Sequence, residues 1–474
     1  MINVLILYLS TALMGVFSFF CIVMPNEGNI QAILVLLMFL LVIIYSIINR
    51  EKAVLLLLFL ISFFTFLLGG NLAVMLFPLD KEFEISKTTN IALILSLYCL
   101  FLGHYLSLNK FSKSKSFKWD TPFYNQIRSV SLSVFYVTIF FKFLQSLEGL
   151  YLLQAYSYAN LELVSRLPQF VTRLSLSSYL SFFCYLCAYP TKEELKKPFV
   201  IFLLALVSSI LMGERGELVY GLFTLLFYFI SRDYIEKRRG RDRFITRRLW
   251  AILLISTPFL LVGLYLYAFI RSSNDIESNG FLNDLVSFFA QQGFSVKLID
   301  YVQEWKSSLP DTNTSYVFGI VYSYFTDLLG IQNDHNLSHL SYDALYGNNL
   351  GATLTYLIEP NYYYSGGGFG TQYIAELYVD FGIIGIVVYN LFLGIFLRYL
   401  SFDVSHSYWG RTYSMIIILG LFSIPRDFCL SWMIRLVSPL NLFVVSFVYI
   451  FSFFFYKRNI VKLNNTHDEG TMDY

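Results

Sequence analysis

The chain has 474 residues, of which 56% are hydrophobic and only 14% charged, with a formal net charge of +2 and a mean hydropathy of +0.59. A soluble domain keeps roughly a quarter of its residues charged, so a water-soluble globular fold is excluded. A net charge this small also argues against nucleic acid as a partner. What remains is an all-α polytopic membrane protein. Apolar runs of roughly 18 residues or more recur along the whole chain, and each is long enough to cross a hydrocarbon core.

Twelve spans are predicted, near 2–24, 30–49, 53–77, 89–108, 130–148, 174–189, 199–213, 217–231, 250–270, 377–398, 412–424 and 436–456. The first lacks a basic n-region and a small-residue cleavage site, and reads as a retained helix. Basic residues set the orientation. They follow the second span (Arg50, Lys52), the fourth (Lys110, Lys113, Lys115, Lys118, Arg128) and the sixth (Lys192, Lys196, Lys197). The densest block, "RDYIEKRRGRDRFITRR" at 232–248, follows the eighth; Arg398 and Arg411 flank the loop after the tenth, and Lys457, Arg458 and Lys462 follow the last. All lie on one side if both termini are cytoplasmic. The expected organisation is nine spans over 1–270, a large external loop over 271–376, three spans over 377–456 and a cytoplasmic tail over 457–474. The five cysteines sit in apolar runs. Cys184 and Cys187 form a C-x-x-C inside a span with no histidine beside it, which fits small core residues rather than redox or zinc chemistry.

With no comparable cytoplasmic domain, chemistry is expected to face outward. The long external loop is rich in aromatics, and "FLNDLVSFFAQQGF" and "SYVFGIVYSYFTDLLG" have helical periodicity. They would lie on the membrane surface or form a small lid, since loops of this length in a compact protein are usually functional.

Arginines mark the same face. In "SSILMGERGELVYGLF", 208–223, Arg215 stands between two predicted spans with almost no loop. Arg166 and Arg173 precede the sixth span, Arg271 ends the ninth, Arg426 follows the eleventh in "SIPRDFCL", and Arg435 opens the last. The positive-inside rule does not ask for cations there. Each arginine alone is explained by snorkelling or by a neighbouring Glu214 or Asp427. As a set they suit phosphate, because guanidinium offers a permanently charged fork that matches phosphate oxygens bidentately. A ligand with a diphosphate at headgroup depth and a lipid tail in the bilayer would need such groups. Gly213 and Gly216 would let backbone approach it closely.

A second constellation is "YYYSGGGFGTQYIAELYVDFGIIGIVVYN", 362–390. Gly366, Gly367 and Gly368, with Tyr363 and Tyr364 before them, form a candidate substrate loop ahead of a helix that enters the membrane. A glycine-rich turn at a helix N-terminus can present amides to an anion. Glu376 in the first turns is either a helix-start acid favoured by the macrodipole or a base for a substrate hydroxyl. The tyrosines of 316–364 fit an interfacial belt or stacking on sugar rings. His335 and His339 stand four apart without H-E-x-x-H spacing, which argues against a zinc site. No D-x-D occurs for a magnesium-bound diphosphate.

"GERGE" at 213–217, Arg271 before the large external loop, and above all "GGGFGTQYIAELYVDFGIIG" at 366–385 resemble the bacterial O-antigen polysaccharide polymerases of the Wzy type. The resemblance covers most of the chain in architecture and two short stretches in motif. It implies a GT-C-like fold and an inverting, metal-independent glycosyltransferase with no cofactor. Such an enzyme transfers the growing glycan from undecaprenyl diphosphate to the non-reducing end of a repeat unit on a second undecaprenyl diphosphate. It implies the bacterial inner membrane, with the active site facing outward. Expected partners are the undecaprenyl-diphosphate-linked oligosaccharide, membrane lipid, and chain-length regulator and flippase proteins. On this basis Arg215 and Arg271 are the first candidates for diphosphate contacts, Arg166, Arg173 and Arg426 the second, and Glu376 the candidate base, with His335 as the alternative. Two other classes share some of these features. A flippase or other transporter needs charges deep in the bundle, for which Lys142 is the main candidate; a ligase would bind the same donor.

Overall fold

The computed structural model describes residues 1–24, 28–76, 85–110, 121–155, 167–212, 215–238, 240, 246, 255, 257–267, 280–310, 314–330, 344–365, 367–402 and 407–469. Among them there are helices and turns but no strand. Among the described residues, nine helices are long and apolar enough to cross a membrane: Ile2–Val23, Ile30–Ile48, Val54–Leu72, Lys87–Ser107, Pro122–Leu152, Gln169–Cys187, Arg215–Arg238, Tyr373–Tyr399 and Pro439–Asn459. The protein is an integral membrane protein. The other three predicted spans fall on shorter helices, so the count of twelve is not reached among the described residues. Lys192–Ser208 has 17 residues, opens on a charged turn capped by Thr191, and contains Pro198. Thr257–Tyr267 covers part of the ninth prediction. Tyr408–Leu421 has 14 residues and is followed by a tight turn, Ile424–Arg426, around Pro425, where proline cannot continue the hydrogen-bond ladder.

The chain forms two compact units. One comprises Met1–Lys113, Phe223–Val404 and Ile418–Ile434; the other comprises Ser114–Leu222, Ser405–Ile417 and Arg435–Tyr474.

In the first unit, Lys87–Ser107 packs along Tyr373–Tyr399. A Cβ on Gly103 would lie 2.2 Å from the Leu391 carbonyl oxygen, and one on Gly394 equally close to that of Leu100. Two glycines thus let the backbones touch, as small residues do in membrane bundles. Helix Tyr373–Tyr399 is broken at Gly382, whose φ of 63° and ψ of −153° are non-helical and open in practice to glycine alone.

Helices Leu298–Trp305 and Tyr316–Leu329 are fastened to these spans. Asp300 accepts hydrogen bonds from the Ser86 N–H at 3.2 Å and from the Thr89 hydroxyl at 2.5 Å, capping Lys87–Ser107 from outside its own sequence. Asp380 does the converse. From within its span it accepts from the N–H groups of Tyr316 at 3.3 Å and Val317 at 2.8 Å, at the start of helix Tyr316–Leu329. Those two N–H groups have no partner inside their own helix. Burial raises the Tyr316 phenol to about 12, so it stays protonated.

The second unit is built on Pro122–Ala155 against Gln169–Cys187. Phe182 stacks on Phe202 with centroids 4.1 Å apart, and Phe135 lies 5.1 Å from Phe182. Such ring pairs add about 0.5–1.5 kcal/mol each beyond area burial. They join Lys192–Ser208 to the pair. Leu206 meets Gly221 so closely that a Cβ there would sit 2.5 Å from its methyl.

Candidate functional site

In the first unit, residues Gly367 to Gln372 run without regular structure up to Tyr373, where the helix begins. The turn is shaped by Gly370, at φ +78°. A side chain there would be strained by that φ, and its Cβ would rest in ordinary contact with Arg426, whose Nε lies 3.6 Å from the Cβ position. Helix Leu350–Ile358 presses on the same point, since a Cβ on Gly351 would be 1.9 Å from the Gly370 carbonyl oxygen.

Glu376 sits one turn into the helix and is 0% exposed. Its Oε1 accepts from the Thr371 hydroxyl at 2.9 Å, and its Oε2 from the backbone N–H of Cys429 at 2.8 Å. The carboxyl thus ties the glycine turn to the loop after Ile424–Arg426. That loop is folded by Asp427, which accepts from Ser423 Oγ at 2.6 Å and from the Phe428 N–H at 2.8 Å. Burial, reinforced by the Glu376 carboxyl, pushes the Cys429 thiol well above its ordinary range, so it offers no thiolate as a nucleophile.

Arg426 is half-buried. Its Nη1 donates to Gln292 Oε1, and its guanidinium lies 5.8 Å from the Phe66 ring centroid, within cation–π range. Beside the turn, Phe369 gathers three rings, Phe294 at 5.8 Å, Tyr301 at 5.3 Å and Tyr362 at 6.2 Å between centroids. Tyr363 and Tyr364 meet Tyr356 edge-on at 5.7 and 6.0 Å. Tyr362 and Tyr364 remain 44% and 48% exposed. This places an arginine, a glycine turn and an aromatic wall with accessible edges in one region. Such a set can hold an anionic oxygen through guanidinium and a sugar ring through aromatic faces.

The predicted residues therefore divide. Arg426, Glu376, Gly367, Gly368, Tyr363 and Tyr364 lie in the first unit. Arg215 and Arg173 lie in the second, Arg215 half-buried at the start of Arg215–Arg238 and Arg173 exposed in the first turns of Gln169–Cys187. Arg166, Arg271, His335 and Gly366 lie outside the described residues. Thr371 to Leu377 are all buried, so the N–H groups at this helix start are packed in protein rather than presented to an anion.

Two pairings escaped the sequence. Gln292, which holds Arg426, lies in a loop helix and carries no motif. Lys142 is 2% exposed and pairs with Glu217, Nζ to Oε2 at 2.7 Å.

No curated protein and no solved structure matches the chain. The family model for O-antigen polysaccharide polymerase Wzy matches residues 2–459. With that match over nearly the whole length, the chain belongs to the O-antigen polysaccharide polymerase Wzy family, glycosyltransferase-type membrane enzymes that join lipid-linked oligosaccharide repeat units.

Proposed function

We propose that the chain transfers the growing glycan from undecaprenyl diphosphate to the non-reducing hydroxyl of a new undecaprenyl-diphosphate-linked unit, with inversion and without a metal. The acceptor oxygen attacks the anomeric carbon of the donor glycan. The bond from that carbon to the diphosphate oxygen breaks, the diphosphate leaves with the electron pair, and the hydroxyl proton passes to a base. Negative charge grows on the leaving oxygen, and preorganised cations would lower that barrier. Arg215 and Arg271 are assigned to this charge, with Arg166 and Arg173 in support. Arg426 is assigned to an anionic oxygen beside the glycine turn. The aromatic wall of Tyr301, Tyr362 and Phe369 is assigned to sugar.

The observation that carries the proposal is the Glu376–Cys429 tie. It fixes the Arg426 loop against the glycine turn that the sequence already set apart. Because both Glu376 oxygens are engaged, we assign Glu376 to holding this loop and proton acceptance to His335. Purified protein given lipid-linked repeat units should convert them to a ladder of longer lipid-linked chains. It should still do so in excess EDTA, since arginines rather than a D-x-D-bound magnesium would stabilise the diphosphate. Activity lost in EDTA and restored by magnesium would remove the metal-free part. Transfer to an acceptor that carries no lipid diphosphate would favour a ligase.

A further inference from the structure

A lysine inside a membrane span is costly and as a rule has a function. Lys142 stands in the apolar run "VTIFFKFLQSL" of helix Pro122–Ala155. The oxygen of Glu217 that receives its ammonium at 2.7 Å also accepts the Tyr179 hydroxyl at 3.0 Å. The ammonium lies 5.4 Å from the Tyr179 ring centroid as well. One turn further, Ser146 Oγ lies 2.9 Å from Ser208 Oγ. Four segments of the second unit thus meet around this ion pair: Pro122–Ala155, Gln169–Cys187, Lys192–Ser208 and the start of Arg215–Arg238.

A buried ion pair adds little net stability over apolar side chains of the same volume, so packing alone does not call for this one. It does fix an angle. Arg215 and Glu217 are two residues apart on one helix, hence about 200° apart around its axis. Drawing Glu217 in to Lys142 and Tyr179 turns Arg215 to the other side, and Arg215 is half-buried there. We propose that Lys142 and Tyr179 are positioning residues for Arg215. They grip Glu217 and thereby set the rotation at which the Arg215 guanidinium meets the donor diphosphate. This rests on the assignment of Arg215 to that diphosphate.

The test measures kcat and KM for elongation of purified lipid-linked repeat units in two backgrounds, wild type and Arg215→Lys. Lys142→Met is expected to lower kcat about 100-fold, the usual effect of a catalytic group displaced by about an ångström, with KM nearly unchanged. Tyr179→Phe, which removes one hydrogen bond to a carboxylate, is expected to cost about tenfold. With Arg215→Lys already present, neither change should lower the residual rate further, because both act through Arg215. A purely structural role would cost the same factor in both backgrounds, and that result overturns the inference, as does full activity of Lys142→Met. If Lys142→Met does not accumulate in the membrane, Tyr179→Phe decides by the same comparison. If Arg215→Lys itself elongates normally, the diphosphate assignment beneath the inference falls with it. An inactive Arg215→Lys with additive losses rejects the positioning role alone.

Discussion

Replacing Glu376 separates two tasks that a carboxylate at this place can have. As a tie it needs only to accept from the Cys429 N–H and meet the Thr371 hydroxyl, at 2.8 and 2.9 Å. Glutamine can do both. Its carbonyl accepts from Cys429, and its amide donates to the Thr371 oxygen, which serves as acceptor as readily as donor. Glu376→Gln should therefore cost about 1 kcal/mol and leave elongation within a few-fold of wild type. Glu376→Ala deprives two buried groups of their acceptor at about 1–3 kcal/mol each and leaves a void. The expected total is about 2–6 kcal/mol, borne by the loop that carries Arg426. The alanine variant should melt several degrees lower in detergent and elongate about 100-fold more slowly, because Arg426 is no longer held in place. As a general base, by contrast, the carboxylate contributes about 10²–10⁴-fold, and glutamine would lose all of it. Initial rates on lipid-linked repeat units, beside melting curves of both variants, decide the matter. A well-folded glutamine variant with a loss above 100-fold, equal to that of alanine, would refute the tie and return Glu376 to proton transfer.

Three further outcomes are expected. Arg215→Lys and Arg426→Lys should each insert normally and lose most polymerisation, about 10²–10³-fold, since lysine keeps the charge without the fork; long polymer from both would reduce these arginines to anchors. An impermeant thiol reagent applied from outside should modify a cysteine placed at Asn313 and miss one at Gly240, and the reverse labelling would put the proposed site in the wrong compartment. Gly382→Ala should destabilise the protein by about 1–3 kcal/mol, because alanine at a φ of 63° and ψ of −153° is strained. An unchanged melting temperature would mean that the helix is continuous there.

The nine long spans were legible because a bilayer demands length and apolarity together, and both are written in consecutive residues. Their ends were less so. The span read as 130–148 is a helix from Pro122 to Ala155, since "PFYNQIRS" is polar yet helical and hydropathy locates the apolar run rather than the helix. Within the site, the glycine pattern placed Glu376 at a helix start. Its engagement with Cys429, 53 residues on, could not be seen from either stretch alone. Lys142 and the charged stretch "GERGE" were each conspicuous, but the pairing of Lys142 with Glu217 joins residues 75 apart, and no local spacing encodes that. The break at Gly382 was hidden for another reason: glycine is common inside spans, and nothing in "VDFGIIG" distinguishes a broken turn from a regular one.

That break has a mechanical consequence. The part of Tyr373–Tyr399 before Gly382 carries both Glu376, which holds the Cys429 loop, and Asp380, which holds the start of Tyr316–Leu329. The part after it is keyed to Lys87–Ser107 through Gly394. Two segments far apart in sequence thus hang on the short part before the break, and one of them, the Cys429 loop, is held from beyond the break as well, where the Tyr389 hydroxyl donates to the Cys429 carbonyl at 2.6 Å. The Cys429 loop therefore straddles Gly382 like a splint, and a bend at the break has to release one of its two fastenings.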